Sequence, residues 1–340
     1  MILRFAIPSK GSLYDGTLSF LEGCGLKISR PNPRRYTAHI RTLPDTEVLL
    51  HRPDDIIEKV AEGEIDIGIS GFDLVEELRG DRDDLLVLYE DIGFGRCELV
   101  VAVPETWIDV SSWRDLADLA VELHWQGRPL RIATKFTETA RRFCYANGIN
   151  YFQLVDSRGA TEAAPGLGYA DIILDITETG TTLRDNQLKI VGPPIFHSQA
   201  CLIGHRGNLS ARDARLNGVK TILELIEARR RARLYVQVVA NVPGKSIEDV
   251  GLRVSQQPEL AGMQGPTIAP MWHSDGNNSS MQLYTVTIMI PQDRVLALVD
   301  HLREMGGGAM AVVPTQYVFE SNCVAYDQLV AQLEAVDVSV

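Results

Sequence analysis

Long apolar runs are missing from this chain of 340 residues. None reaches about 18 consecutive apolar positions, the length a membrane-crossing helix needs. Cysteine is sparse: Cys24, Cys97, Cys144, Cys201 and Cys323 are scattered, with no Cys-x-x-Cys spacing. An odd and dispersed set excludes a disulfide framework and fits a reducing, cytoplasmic setting. The seven histidines show no metal-ligand spacing, which argues against a zinc site. Basic residues are the minority, 33 against 45 acidic ones, giving a net charge of −12. That deficit argues against nucleic acid as a partner, since a phosphate backbone calls for a basic face. Small anionic substrates remain compatible, because they need only local cations and a divalent metal. The opening stretch from Met1 to Pro8 is too short for a signal peptide and reads as a first strand.

What is present is a globular composition, 45% hydrophobic and 23% charged, with room for two or three domains. Residues 1–100 alternate strand-like and helix-like segments, the pattern of an α/β domain with a mostly parallel sheet. Leu3–Ile7, Glu47–His51, Ile65–Ile69 and Leu99–Val103 read as strands; Leu13–Gly23 and Asp54–Glu62 read as helices. Residues 104–129 read as an irregular connection, followed by a second α/β set. In that set Leu130–Thr134, Tyr151–Val155 and Asp171–Asp175 are strands, and Glu138–Asn147 and Ala160–Leu167 are helix-like. Residues 204–218 read as a polar connection, and Thr221–Arg231 as a helix whose late arginines complement its dipole. From Tyr235 on, the order becomes β-α-β-β-α-β, that of a ferredoxin-like domain. Such a domain can bind a regulatory ligand or simply join subunits.

The expected architecture is therefore two α/β lobes of periplasmic-binding-protein-like type with a cleft, plus a C-terminal ferredoxin-like domain. The first lobe takes 1–103 and 190–220, the second 104–189, the last domain 221–322, and a tail 323–340. In open α/β sheets ligands bind beyond the carboxyl ends of the strands.

The stretch 170–183 carries the most chemistry. An apolar strand, Ile172-Ile173-Leu174, runs into Asp175 and Glu178, then into Thr179-Gly180-Thr181-Thr182. Glycine lets backbone N–H groups turn inward without a Cβ in the way. The threonine hydroxyls can donate to phosphate oxygens, and the carboxylates can hold ribose hydroxyls or Mg²⁺. This favours a sugar phosphate, and a phosphoribosyl group over a triphosphate tail. A capped strand-to-helix turn would use the same residue types.

Several stretches, in this order, resemble ATP phosphoribosyltransferase of the long, regulated form. They are Ser9-Lys10-Gly11, Cys24-Gly25-Leu26, Asp66–Gly71, Gly93-Phe94-Gly95-Arg96-Cys97, Arg131–Thr134, Glu162–Pro165, Asp175–Leu183 and Gly265–Pro270. Asn32–Tyr36, Arg52-Pro53 and Ser255–Gly262 look most like the plant-type branch. The resemblance implies that N1 of ATP's adenine attacks C1 of 5-phosphoribosyl 1-pyrophosphate (PRPP) with inversion and loss of pyrophosphate. It further implies a Mg²⁺ requirement, histidine as feedback inhibitor, AMP as a further ligand, and a homo-oligomer running from dimer to hexamer.

On that resemblance Asp175, Thr177, Glu178, Thr179, Gly180, Thr181 and Thr182 are expected to bind PRPP. Lys10, Gly11, Arg52, Asp66, Gly71 and Glu162 are expected at ATP or pyrophosphate, and Asn241, Thr267 and Gly307 at histidine. The metal ligands stay unassigned. Two positions depart from the family pattern. Ser12 stands where an arginine is usual, which Arg34, Arg35 or Arg96 would have to offset, and an acidic histidine-holding residue falls at Val239 or near Asn241. Two other readings share the fold: a small-molecule sensor built like a solute receptor, and a catalytically inactive regulatory relative.

Overall fold

Five of the six residues of strand β1 (Leu3–Pro8) are buried, as expected of a strand covered on both faces. It lies within a seven-stranded mixed sheet in the computed structural model, which describes residues 2–32, 34–80, 82–157, 159–272 and 282–335. The chain adds β2 (Ile28–Ser29), β3 (Thr37–Ile40), β4 (Leu43–His51), β5 (Ile67–Gly71) and β6 (Leu85–Tyr89). Helices α1 (Ser12–Gly23), α2 (Pro53–Ala61) and α3 (Phe72–Leu78) connect them. Only β4, β1 and β5 run parallel; β2 and β3 pair antiparallel at one edge. Ile56, Ile57 and Val60 of α2 pack with Ala6, Ile65 and Val75 in the core.

The chain then builds a second, five-stranded sheet. Its elements are β7 (Cys97–Pro104), α4 (Trp113–Trp125), β8 (Leu130–Thr134), α5 (Thr137–Ala146), β9 (Phe152–Asp156), β10 (Ile172–Thr177), α6 (Thr181–Asp185) and β11 (Leu188–Ser198). Strand order is β11-β7-β10-β8-β9. The chain returns to the first sheet as β12 (Ala200–His205), between β5 and β6, and continues into α7 (Arg206–Ser210) and α8 (Ala214–Ala232). The two passages between sheets, 90–96 and Gln199, are bonded together: Gln199 Nε2 donates to Glu90 O at 3.2 Å, and just beyond it Ala200 N–H donates to Phe94 O at 3.0 Å and Ile92 N–H to Ala200 O at 3.1 Å.

Several expectations are corrected. Leu99–Val103, expected to close the first lobe, belongs to the second sheet, as does the stretch up to Ser198. The reason is long-range: β7 pairs antiparallel with both β10 and β11, and Leu99, Val101 and Val103 are buried in the second core. The supposed connection 104–129 holds the thirteen-residue helix α4, started by a capping box in which Ser112 and Asp115 serve each other's backbone N–H. The connection 204–218 holds α7 and the start of α8. The helix expected over 160–167 is only a single 3₁₀ turn at Thr161–Ala163, two residues before Pro165. The first sheet is mixed rather than mostly parallel.

Two compact units result, one running to Thr221 and resuming at Gln328, the other Ile222–Asp327. The second unit contains β13 (Tyr235–Gly244), α9 (Ile247–Val254), β14 (Thr267–Pro270), β15 (Gln282–Pro291), α10 (Val295–Glu304) and β16 (Gly308–Pro314). The antiparallel order β14-β15-β13-β16 is the ferredoxin-like arrangement read from the sequence. Strict alternation puts Val236, Val238, Val286 and Ile288 against Val250, Leu298 and Leu302. The stretch from 323, expected as a tail, instead forms α11 (Val324–Glu334), whose first N–H groups donate to the Glu227 carboxylate at 3.2 and 2.7 Å. Arg231 binds Glu320 at 3.1 Å and Arg229 donates to Gln316 O at 3.3 Å, so these two late arginines of α8 serve structure.

Candidate active site

The parallel register of β1 and β4 places Pro8 opposite His51, so the residues after both strands leave the sheet side by side. Ser9 N–H donates to His51 O at 2.7 Å and fixes this exit. Lys10 and Arg52 follow at once, both exposed, and neither side chain bonds to any described residue. Gly11 adopts φ +81° ahead of α1 and has no heavy atom within 4 Å of a would-be Cβ. Gly71 ends β5 at the same sheet edge, where a Cβ would strike the Asp73 carboxylate at 2.3 Å. Thus Lys10, Gly11, Arg52 and Gly71 share the carboxyl edge of the three parallel strands.

Asp66 is a correction. It precedes β5, at the opposite edge, and its buried carboxylate accepts from Arg4 N–H (2.8 Å), Asn208 Nδ2 (2.8 Å) and Arg215 Nη1 (3.2 Å). These bonds tie β1, β5 and α8 together, so the carboxylate acts structurally, away from the carboxyl edge that holds Lys10 and Arg52. Ser12 opens α1 with an exposed side chain. Of the arginines expected to offset it, Arg96 is paired with Asp91 at 3.1 Å.

The second lobe supplies the rest. Asp175 and Thr177 lie at the end of β10, and Glu178 to Gly180 form the loop into α6. Thr177 shapes the loop, its hydroxyl accepting the Gly180 N–H at 2.9 Å. Gly180 sits at φ +70°, a left-handed position that favours glycine. Thr179 and Thr181 place their hydroxyls 2.9 Å apart, and Thr182 and Glu178 are exposed with no side-chain partner among the described residues. Burial pushes the Asp175 carboxyl above the usual range, and the nearby Glu162 charge adds to this. The Ile176 N–H (2.8 Å), the Lys135 ammonium and the Thr161 hydroxyl act the other way. Glu162, expected at ATP or pyrophosphate, thus lies near Asp175 in the second lobe.

Two residues escaped the sequence reading. Lys135 directly follows β8, which neighbours β10, and Phe136, fully buried beside it, anchors that exit. Nothing local marked Lys135; only the pairing of β8 with β10 brings it near Asp175. Arg184 lies one turn beyond Gly180 and reaches back to Thr181. Where the lobes meet, Ser198 Oγ donates to Asp73 at 2.9 Å and accepts the Asp73 N–H at 2.8 Å. Beside it, burial and the Asp73 charge push the Cys97 thiol up to about 11, so it remains a thiol at neutral pH.

In the second unit, Asn241 accepts from Thr285 Oγ1 at 3.2 Å on the sheet face away from the helices. It pairs with Gly308, next to Gly307, whose would-be Cβ meets Leu302 O at 2.5 Å. Thr267 opposes Thr287 on β14, two strands from Asn241. Val239 lies in register with Thr287, in the same row as Thr267.

No group of three or more His, Cys, Asp or Glu among the described residues is arranged to chelate a metal ion. Asp175, Glu162 and Glu178 nevertheless offer hard oxygen donors of the kind Mg²⁺ takes when phosphates complete its shell.

Residues 52–228 match the ATP phosphoribosyltransferase family, and residues 232–317 match the C-terminal domain of the same family. The chain is 39% identical to ATP phosphoribosyltransferase 2, chloroplastic, of Arabidopsis thaliana over 97% of its own length and 80% of that protein's. It is 34% identical to the ATP phosphoribosyltransferase of Nitrobacter winogradskyi, over 96% of this chain and 97% of the other. Among solved structures, the ATP phosphoribosyl transferase (HisG:HisZ) complex from Thermotoga maritima superposes with a TM-score of 0.52 at 26% identity, covering 66% of this chain and 99% of that one. With these likenesses along nearly its whole length, the chain belongs to the ATP phosphoribosyltransferase family.

Proposed function

We propose that this chain joins N1 of ATP's adenine to C1 of PRPP, releasing pyrophosphate, as the first step of histidine biosynthesis. The observation that carries the reading is the loop Asp175–Thr182, a glycine in left-handed conformation framed by hydroxyls and carboxylates at a strand's carboxyl end. A receptor for uncharged solutes has no need of it, and the family membership favours an enzyme over a sensor or an inactive relative.

The sugar phosphate sits in this loop, with the 5-phosphate on Thr179, Thr181 and Thr182 and the ribose hydroxyls on Asp175 and Glu178. Lys10 and Arg52, uncommitted to any carboxylate, face the pyrophosphate or triphosphate, and Gly11 and Gly71 let backbone approach these groups. As the C1–O bond breaks, its electron pair leaves with pyrophosphate; the adenine N1 lone pair forms the new bond from the opposite face. Positioning two polyanions and steadying the departing charge are the protein's main tasks. Mg²⁺, when bound, neutralises part of the pyrophosphate charge. Asp175, Glu178 and Glu162 are its nearest candidate protein donors.

The ferredoxin-like unit is read as the histidine site, with Asn241 and Gly307 adjacent and Thr267 further along the sheet; AMP would compete at the nucleotide site. Assembly runs from dimer to hexamer. Five dispersed cysteines without Cys-x-x-Cys spacing support a reducing compartment, here read as the cytoplasm, while the Arabidopsis relatives carry chloroplastic names. No described helix is long and apolar enough to cross a membrane.

The test is a product assay with ATP, PRPP, Mg²⁺ and pyrophosphatase, repeated with histidine. Phosphoribosyl-ATP, suppressed by histidine, supports both parts. Product without suppression removes the regulatory part. No product and no PRPP binding removes the whole reading.

A further inference from the structure

The loop Thr177–Thr182 contains hydroxyls and backbone N–H groups but no cation, although a phosphate monoester carries nearly two negative charges near neutral pH. Arg184 stands at the right place to supply one. Its Nη2 donates to Thr181 Oγ1 at 3.2 Å, and that hydroxyl lies 2.9 Å from Thr179 Oγ1. Its Nη1 lies 3.5 Å from the position a Cβ would take on the buried Gly180, so the guanidinium packs beside the glycine at the head of the loop. Asp185 is the next residue, yet Arg184 pairs with no carboxylate among the described residues. An exposed arginine gains little by folding back onto one neutral hydroxyl. Among the described residues only this one of its five donors is used, which leaves the fork's charge and geometry available to an anion.

The geometry points to Arg184 as the residue that binds the 5-phosphate of PRPP and makes the site selective for a phosphorylated ribose. This rests on the phosphoribosyl reading above. Thr179 and Thr181 then orient the monoester, and Arg184 provides its charge partner.

The test uses the full-length protein with Arg184→Ala, Arg184→Gln and Arg184→Lys. Removing the guanidinium is expected to raise KM for PRPP by about 10- to 100-fold, the range of a lost charged hydrogen bond. The Ki of ribose 5-phosphate as a competitor should rise in parallel, and Arg184→Lys should recover part of the loss. KM for ATP and the Ki of pyrophosphate should stay at wild-type values, a split that general loosening of the loop would not produce. Because the side chain is exposed, melting temperatures should match the wild type. Wild-type KM for PRPP and wild-type ribose 5-phosphate inhibition in Arg184→Ala would overturn the assignment and leave the enzyme reading standing. A wild-type protein that neither turns over nor binds PRPP would overturn both.

Discussion

The Glu77 carboxylate accepts the backbone N–H of Thr139 at 2.9 Å, together with that of Glu138 at 2.9 Å. Glu77 belongs to α3, which follows a strand of the first sheet, whereas Thr139 lies in the first turn of α5 in the second lobe. Helix α5 starts after Phe136 and has no capping side chain of its own. One lobe therefore caps a helix of the other.

Glu77→Ala should cost about 1–2 kcal/mol of stability in urea denaturation, the cost of losing a helix cap. Because Lys135 and Phe136 directly precede the capped turn, KM for PRPP should rise as well. An unchanged denaturation midpoint would show that water replaces the carboxylate at no cost.

Lys10→Ala and Arg52→Ala should each lower kcat/KM by about 10²- to 10³-fold, the range for removing one group that stabilises transition-state charge. Neither side chain bonds to a described residue, so melting temperatures should hold. Steady-state kinetics beside calorimetry checks this; a stability loss without a kinetic one would make these cations structural.

Gly180→Ala should raise KM for PRPP and spare KM for ATP. The added Cβ meets Arg184 Nη1 only at ordinary contact distance, 3.5 Å, so the penalty comes from the left-handed backbone, φ +70°. That conformation costs a non-glycine residue roughly 1–2 kcal/mol. Equal effects on both substrates would show a distortion reaching beyond the loop.

Asp175 sets a pH dependence. Its carboxyl is pushed up in the folded protein, chiefly by burial. The folded state therefore holds the proton more tightly than the unfolded chain, and stability falls as pH rises through the folded value. Asp175→Asn should raise the melting temperature at pH 7–8 while abolishing PRPP binding. The gain should vanish below about pH 4, where the carboxyl is neutral in both states. A variant less stable than wild type at pH 7 would contradict this.

Local patterns made much of this molecule legible. The apolar run ending in Asp175, the glycine among threonines and the β-α-β-β-α-β order of the last domain all appear where the residues alone put them. What escaped depends on distant partners. Leu99–Val103 reads as a strand, but its sheet is chosen by Ile173–Thr177 and 188–198. Asp66 looked poised for a ligand only until Arg215 and Asn208 arrived from about 140 residues away. No local pattern singled out Glu77 or Arg184, whose roles depend on Thr139 and on the fold of the Gly180 loop. The helix over 113–125 is different: its Ser112-x-x-Asp115 signal is local and was available in the sequence.

The five-stranded lobe begins at Cys97 and ends at Ser198, and these two residues are partners across the β7–β11 ladder. It is thus a cassette inserted into the first lobe, with entry and exit abreast. Removing it would leave a short gap that a tight turn could close, with β12 still seated between β5 and β6. A gene could exchange the lobe that carries the Thr179–Thr182 loop while leaving intact the lobe that holds Lys10 and Arg52.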